Sequence, residues 1–252
     1  MSNRITQNVK CRLCKKSCDL IQSHIIPEYF YDTIYDDDHK LFMIPAKQNK
    51  RIDIEQKGIR ERLLCNKCDN YFSPFENYGK SLIFGGKLNT KLIENTKDYL
   101  IVEGVDYCKF KLLQLSILWR ASISKHPFFS IVDLGPHEAK IREMLFAADP
   151  GKYYEYGCIM FALLDGNEIW DMFSSPRKYY AENHRCYRFV FGGFAWNFVV
   201  SGNSNEISLK EFMLQENGRH PIIKQEVANT DFIQKEAKWI KARYKDMMRF
   251  VK

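Results

Sequence analysis

Hydrophobic positions recur with helical spacing in three parts of the chain. Apolar residues over 106–124 return every three or four positions, which predicts a long helix. Pro136 and the apolar residues after it predict a second helix that ends near Ala147. A third helix is predicted to begin near Thr230 or Asp231. Its apolar face consists of Ile233, Ala237, Ile240, Tyr244, Met247 and Val251.

Two apolar segments have the character of strands. Residues 156–164 predict one strand, and residues 188–201 predict another, in which Gly192-Gly193 marks a bulge or kink. Helices and strands together predict an α+β domain that ends in a long amphipathic helix.

The first part of the chain has a different pattern. Residues 1–88 contain few long periodic stretches, and the Gly- and Asn-containing segment 85–90 is typical of a boundary. We therefore predict two domains, an N-terminal module over 1–88 and an α+β domain over 89–252.

Composition and charge narrow the class of protein. The net charge is +7, from 38 basic and 31 acidic residues, which is compatible with a polyanionic partner. No stretch of about 18 apolar residues occurs, so we expect no membrane span. The first residues lack the apolar core of a secretory signal, which predicts a cytoplasmic protein. In that compartment the eight cysteines are expected to be metal ligands or core residues rather than disulfides.

Two CxxC pairs carry the strongest chemical pattern in the chain. They are Cys11-Arg12-Leu13-Cys14 and Cys65-Asn66-Lys67-Cys68. Two such turns can supply four thiolates to one tetrahedral zinc ion, and a site closed by four protein ligands is structural. A fifth cysteine nearby, Cys18, is left over from this set.

Other uses of these cysteines fit less well. A bacterial ferredoxin needs one more cysteine than the run that starts at Cys11. A zinc deaminase needs H-x-E and P-C-x-x-C, but His24 is followed by two isoleucines and Leu64 precedes Cys65. A thioredoxin-like redox site does not need two pairs.

A short motif lies between the two pairs. Residues 23–27 read Ser-His-Ile-Ile-Pro, and Leu63-Leu64 leads into the second pair, which Asp69 follows. This order, over residues 8–80, resembles the HNH endonuclease family. The resemblance implies a zinc-stabilised ββα-metal, treble-clef-like module. The overall layout is similar to standalone bacterial HNH proteins, some of which act in phage defence.

The resemblance also implies roles for individual residues. His24 matches the general base that activates water for attack on phosphorus, a role that suits an imidazole. Asp69 matches the helical position of a metal ligand. One catalytic divalent ion, Mg²⁺ or Mn²⁺, would act on the phosphate, and the products would carry 5′-phosphate and 3′-hydroxyl ends. The zinc would only hold the hairpin of His24 against the helix of Asp69.

The chain departs from the family at two positions. Ser23 stands where the family commonly has a metal-binding Asp, and Arg60 falls near the position of the middle Asn. The catalytic ion would therefore need further ligands, for which Asn70, Glu76 and the aspartates 36–38 are candidates. Glu76 also fits a capping box with Ser73, and the 36–38 run also fits a polar loop.

DNA is the expected substrate. Cleavage of RNA would depend on the same residues, so an RNA substrate is the alternative. Basic side chains near the motif could follow the phosphates; they are Arg12, Lys15, Lys16, Arg51, Arg60, Arg62 and Lys67. The basic side of the last helix is either a solvated surface or a further phosphate contact. Residues 89–252 could read DNA, form a homodimer, or keep the nuclease inactive until an activating partner binds.

Two hypotheses from different classes remain. The first is a metal-dependent HNH endonuclease, favoured by His24 and Asp69. The second is a catalytically inactive, zinc-stabilised module that binds nucleic acid or another partner, favoured by Ser23 and Arg60.

Overall fold

The computed structural model describes residues 9–35, 41–43, 53–55, 58–203 and 206–235. Its architecture is mixed α+β; twelve strands and four α-helices lie wholly within that part of the chain, and a further helix begins at residue 231. The strands are β1 Leu20–His24, β2 Leu41–Met43, β3 Asp53–Glu55, β4 Arg60–Cys65, β5 Lys91–Asn95, β6 Tyr99–Glu103, β7 Cys158–Asp165, β8 Glu168–Ile169, β9 Ser174–Ala181, β10 His184–Phe191, β11 Phe194–Val199 and β12 His220–Glu226. The helices are α1 Asn66–Asn70, α2 Ser73–Ile83, α3 Tyr107–Ile123 and α4 His137–Ala147.

The N-terminal segment is built around a two-stranded antiparallel sheet. Strand β1 pairs with β4, and the short hairpin of β2 and β3 is inserted between them. Helices α1 and α2 follow β4 directly. The first CxxC pair precedes β1, and the second begins at the last residue of β4.

An eight-stranded sheet dominates the rest of the chain. Its order is β5-β6-β12-β7-β11-β10-β9, with β8 paired to β7. Neighbouring strands are antiparallel except for β12 and β7, which are parallel. Strand β11 is buried at every position, as expected for a strand in the middle of a covered sheet.

Helix α3 lies at the centre of the molecule. Every residue from Phe110 to Ala121 is buried, because α3 packs against both α2 and α4. Asp106 is its N-cap, and the Asp106 carboxylate accepts a hydrogen bond from the backbone N–H of Lys109. The helix predicted over 106–124 is therefore confirmed. The predicted end of the next helix is confirmed as well, since α4 ends at Ala147.

One hydrophobic core extends over both predicted domains. Phe30, from the segment after β1, is fully buried, and its ring centroid lies 4.6 Å from that of Phe191 and 5.8 Å from that of Trp196. The same core contains α3 and the four-cysteine region. The division at residue 88 stays a prediction, and the described residues pack across it.

The prediction of a single strand over 188–201 is wrong. The segment forms β10 and β11, which pair as a hairpin with Phe191 opposite Phe194. Gly192 and Gly193 are its two turn residues, with φ of +62° and +76°. Two consecutive positive φ values are what a tight hairpin turn requires, and glycine adopts them without steric cost. Because both strands are buried, their apolar residues run together in the sequence and conceal the turn.

The C-terminal helix is described only at its beginning. Residues 231–235 are helical, and Ile233 is buried. The remainder of the predicted amphipathic helix, 236–252, lies outside the described residues, as do the aspartates 36–38.

Within the part of the chain that the structure describes, no helix combines the length and apolar character needed to cross a membrane.

Candidate active site and metal centre

The four cysteines of the two CxxC pairs come together. The Sγ atoms of Cys11, Cys14, Cys65 and Cys68 all lie within 4.8 Å of one another. A tetrahedral zinc ion with Zn–S bonds of 2.3 Å would place its sulfur atoms about 3.8 Å apart, so only a small contraction is needed. The four side chains could therefore hold a metal ion such as zinc. Cys18 is outside this group, and its Sγ lies 3.3 Å from the carbonyl oxygen of Lys16.

Local backbone geometry directs these thiols to one point. Cys65 is both the last residue of β4 and the N-cap of α1, and its N–H donates to the Sγ of Cys11 at 3.5 Å. Burial raises the pKa of Cys68. For Cys65 burial acts in the same direction, but hydrogen bonds from Cys68 and the neighbouring thiols lower the pKa to about 7. A bound metal would deprotonate all four thiols.

The β1–β4 pair places His24 at a fixed distance along the sheet from the cysteines. Leu20 pairs with Cys65 at one end, and His24 pairs with Arg60 at the other. A one-residue irregularity between Ile21 and Gln22 interrupts the register. The cysteine group thus holds one end of this small sheet, and His24 stands at the opposite end.

His24 lines a cavity of about 320 Å³. The segment after β1 forms one wall and α2 forms the other. The lining residues are His24, Pro27, Glu28, Tyr29, Asp32, Glu76, Asn77 and Lys80. The cavity therefore combines one imidazole, three carboxylates, one amide and one amine.

Glu28 is the acidic group beside the His24 ring. Its Oε2 lies 3.9 Å from Nε2 of His24, four residues earlier in the chain. This distance is too long for a direct hydrogen bond, and solvent screens the charge interaction because the Glu28 side chain is 55% exposed. The His24 side chain is 22% exposed, so solvent reaches it.

Tyr29 closes the base of the cavity. Burial raises the pKa of its hydroxyl, and Glu76 acts in the same direction. Its Oη has no hydrogen-bond partner among the described residues. The ring packs against Phe30 and Phe84 with centroid distances of 4.4 and 5.8 Å.

A buried arginine from α3 joins the two walls. Nη1 of Arg120 donates to the carbonyl oxygen of His24 at 2.8 Å, and Nη2 lies 2.8 Å from Oε1 of Glu76. The predicted capping box is therefore wrong. Ser73 is the first helical residue, Phe72 is the N-cap, and no side chain caps the helix. The Glu76 carboxylate turns to Arg120 because the buried guanidinium needs an anionic partner.

The structure separates the residues that the sequence proposed as one site. His24 and Glu76 line the cavity, whereas Ser23, Asp69 and Asn70 do not. The Ser23 hydroxyl is fully buried and has no hydrogen-bond partner among the described residues. Asn70 is exposed on α1, where its amide donates to the side chain of Asn66.

Four cavity residues were missed by sequence reasoning. Glu28 and Asp32 follow His24 by four and eight positions, and Asn77 and Lys80 accompany Glu76 on α2. No helical turn connects Glu28 to His24, because His24 ends strand β1 and residues 28–30 form a separate 3₁₀ turn after Pro27. Nothing local in the sequence indicates that α2 faces this turn.

The cavity is not a preformed metal cage. Among the described residues, the four cysteines are the one group of three or more His, Cys, Asp or Glu ligand atoms within 4.8 Å of one another. Mg²⁺, however, usually keeps several waters and binds through one or two carboxylates together with substrate phosphates. Glu28, Asp32 and the second oxygen of Glu76 are suited to such a partial shell.

No protein-family model, curated protein or solved structure matches this chain. What the protein does must therefore be inferred from the site itself.

Proposed function

We propose that the protein is a metal-dependent endonuclease of the HNH class that hydrolyses phosphodiester bonds in DNA. The observation that carries this proposal is the position of His24. It ends a strand whose partner ends at Cys65, one of the four cysteines, and it lines a cavity with three carboxylates. A histidine and oxygen ligands in one solvent-accessible cavity are the groups that this hydrolysis needs.

The protein's own groups account for the proton transfer. The imidazole of His24 accepts a proton from the attacking water. Glu28, 3.9 Å from Nε2, then stabilises the imidazolium that forms. The backbone of His24 cannot drift during this step, because its carbonyl is bound by Arg120.

The charge of the cavity argues for a divalent cation. Glu28, Asp32 and Glu76 face it, against Lys80 among its lining residues. Arg120 pairs with Glu76 from behind the wall, so the carboxylates still outnumber the cations by one. A phosphodiester would be repelled by this excess of negative charge. Mg²⁺ or Mn²⁺ held by Glu28, Asp32 and the second oxygen of Glu76 would remove the repulsion and stabilise the developing charge on the phosphate and the leaving oxygen.

The four cysteines have a separate role in this proposal. A zinc ion with four protein ligands has no open position for water or substrate, so it contributes structure and no chemistry. It fixes β4 and the start of α1, and through the β1–β4 pairing it fixes the strand that ends at His24.

One observation favours the second hypothesis, an inactive module that binds nucleic acid. The carboxylates of the cavity do not converge to a cage among the described residues. Such a module would bind DNA with a strong salt dependence and would not cut it with any metal ion.

Variants of the cavity test the proposal on supercoiled plasmid and on RNA with Mg²⁺, Mn²⁺ or EDTA. We expect Glu28→Gln and Asp32→Asn to lower the rate of cleavage by about 100-fold each, without loss of zinc. Asp69→Asn is the matched control, because Asp69 is an acidic residue of the same module outside the cavity. Loss of cleavage in Asp69→Asn alone would move the cation site to α1. Binding without cleavage by the unmodified protein would favour the inactive module.

A further inference from the structure

Arg120 is an unusual residue for the middle of a core helix. Its side chain is 2% exposed, and its neighbours Ile117, Leu118, Trp119 and Ala121 on α3 are buried and apolar. Burial of a guanidinium is costly unless each N–H finds a partner, and an apolar side chain of similar volume often serves stability as well or better. The partners of Arg120 therefore need an explanation beyond stability.

Two of those partners belong to the proposed nuclease site, and the third, Ser116, is on α3 itself. Nη1 donates to the carbonyl of His24 at 2.8 Å, across 96 residues of sequence. Nη2 lies 2.8 Å from the Glu76 carboxylate and 3.1 Å from the hydroxyl of Ser116. The guanidinium also lies over the ring of Phe72 at 5.3 Å from its centroid. One planar group thus links the end of β1, the inner face of α2 and helix α3.

Arg120 supplies a hydrogen-bond donor to the backbone carbonyl of His24. The next N–H along the chain, that of Ile25, donates to the carbonyl of Ile59, after which Pro27 begins the turn to Glu28. The His24 carbonyl lies at the end of the ladder, where Arg120 takes the place of a strand partner. A lysine at this position could not bind the His24 carbonyl and the Glu76 carboxylate together, because a single ammonium lacks the rigid planar fork of a guanidinium.

We infer that Arg120 is a positioning residue of the nuclease: it holds the backbone of His24 and the carboxylate of Glu76 at a fixed separation. This inference rests on the proposed function. It assigns part of the site to α3, which lies beyond residue 88, so that residues 1–88 do not contain a complete site.

Helix α3 supplies a matched control. Lys111 is also buried and cationic, but its ammonium contacts the carbonyls of Tyr153 and Tyr156, and Lys111 does not line the cavity. Lys111→Met and Arg120→Met each remove one buried cation from the same helix. Only the second change removes a contact with His24.

The first measurement does not depend on activity. His24-Ile25 is the one His-Ile pair in the sequence. Labelling histidine with ¹³C at the carbonyl and isoleucine with ¹⁵N therefore gives a single peak from directly bonded ¹³C and ¹⁵N, and this peak reports the His24 carbonyl. We expect Arg120→Met to move this carbonyl resonance to lower frequency, because the hydrogen bond is lost, and Lys111→Met to leave it in place. An unmoved peak in folded, zinc-loaded Arg120→Met protein would overturn the inference.

The second measurement is the cleavage rate with the full chain. We expect Arg120→Met to lower kcat by about 100-fold with KM changed less than about twofold, because misplacement of a catalytic group affects the chemical step. Arg120→Lys should fold and recover only part of the rate. Lys111→Met should retain the unmodified kcat. Equal losses in Arg120→Met and Lys111→Met would assign Arg120 a purely structural role and overturn the inference.

Failure of the proposed function and failure of the inference about Arg120 give different results. If the unmodified protein cuts neither DNA nor RNA with either metal ion, the proposed function is refuted, while the resonance still decides whether Arg120 holds His24. If the unmodified protein cuts and Arg120→Met cuts at the same rate, the proposed function stands and the role of Arg120 is refuted.

Discussion

The hairpin turn between β10 and β11 lies against the segment that follows His24. Gly192 has a φ of +62°, and a Cβ atom added there would lie 2.6 Å from Cδ1 and 2.8 Å from Cε1 of Phe30. The Phe30 ring cannot move aside, since it is fully buried and packed against Phe191 and Trp196. Gly192→Ala therefore tests whether the segment after β1 and the large sheet share one core.

Two separate costs make up the expected effect. The left-handed backbone conformation costs a non-glycine residue roughly 1–2 kcal/mol. Overpacking against an immobile ring adds roughly 1–3 kcal/mol. Gly166→Ala isolates the first cost, because Gly166 has a φ of +64° and no atom within 4 Å of the added Cβ. We expect Gly192→Ala to lose about 1–3 kcal/mol more of the free energy of unfolding than Gly166→Ala.

Urea unfolding of the zinc-loaded protein, followed by circular dichroism, measures both variants. A double-mutant cycle with Phe30→Leu assigns the excess, and we expect a coupling of at least about 1 kcal/mol because the methyl group added at position 192 meets the Phe30 ring. Equal destabilisation by Gly192→Ala and Gly166→Ala, with no coupling to Phe30, would refute the packing of this segment on the sheet.

Three further predictions concern the metal, pH and the ion pair. Cys65→Ser should yield unfolded or insoluble protein, because structural zinc contributes folding free energy. Elemental analysis that finds no zinc in folded, unmodified protein would contradict this prediction. Burial lowers the pKa of His220 to about 3 from an ordinary 6.5. The unfolded chain therefore binds the extra proton as pH falls from 6.5 towards 3, and stability should fall by up to about 1.4 kcal/mol per pH unit. Urea titrations at several pH values should show that the free energy of unfolding of His220→Leu changes less with pH over this range. Glu76→Ala should cost about 1–3 kcal/mol by leaving Arg120 underpaired, whereas Glu76→Gln, which keeps an acceptor, should cost less in the same assay.

The elements that could be predicted are those determined by short-range patterns. The CxxC spacing is enough to bring two thiols together within each turn, and the four cysteines do converge. The long helix was recognisable from its apolar spacing and from Asp106, whose carboxylate caps it. In both cases the deciding interactions lie within a few residues of sequence.

The rest depends on contacts between distant parts of the chain. Glu76 has the right spacing from Ser73 for a capping box, but the buried charge of Arg120 binds it instead. Glu28 and Asp32 become site residues only because α2 packs opposite them. The Gly192-Gly193 turn was missed because burial on both sides removes the alternation that normally marks strand ends.

Cleavage of supercoiled plasmid by the purified full chain tests the central claim most directly. The assay compares Mg²⁺, Mn²⁺ and EDTA for the unmodified protein, His24→Ala, and His184→Ala, a histidine on β10 outside the cavity. We predict nicking that requires the metal ion, falls by about 10²- to 10⁴-fold in His24→Ala, and persists in His184→Ala. Metal-dependent nicking that survives unchanged in His24→Ala would contradict the assignment of the base. Plasmid that stays intact with every metal ion would contradict the nuclease itself.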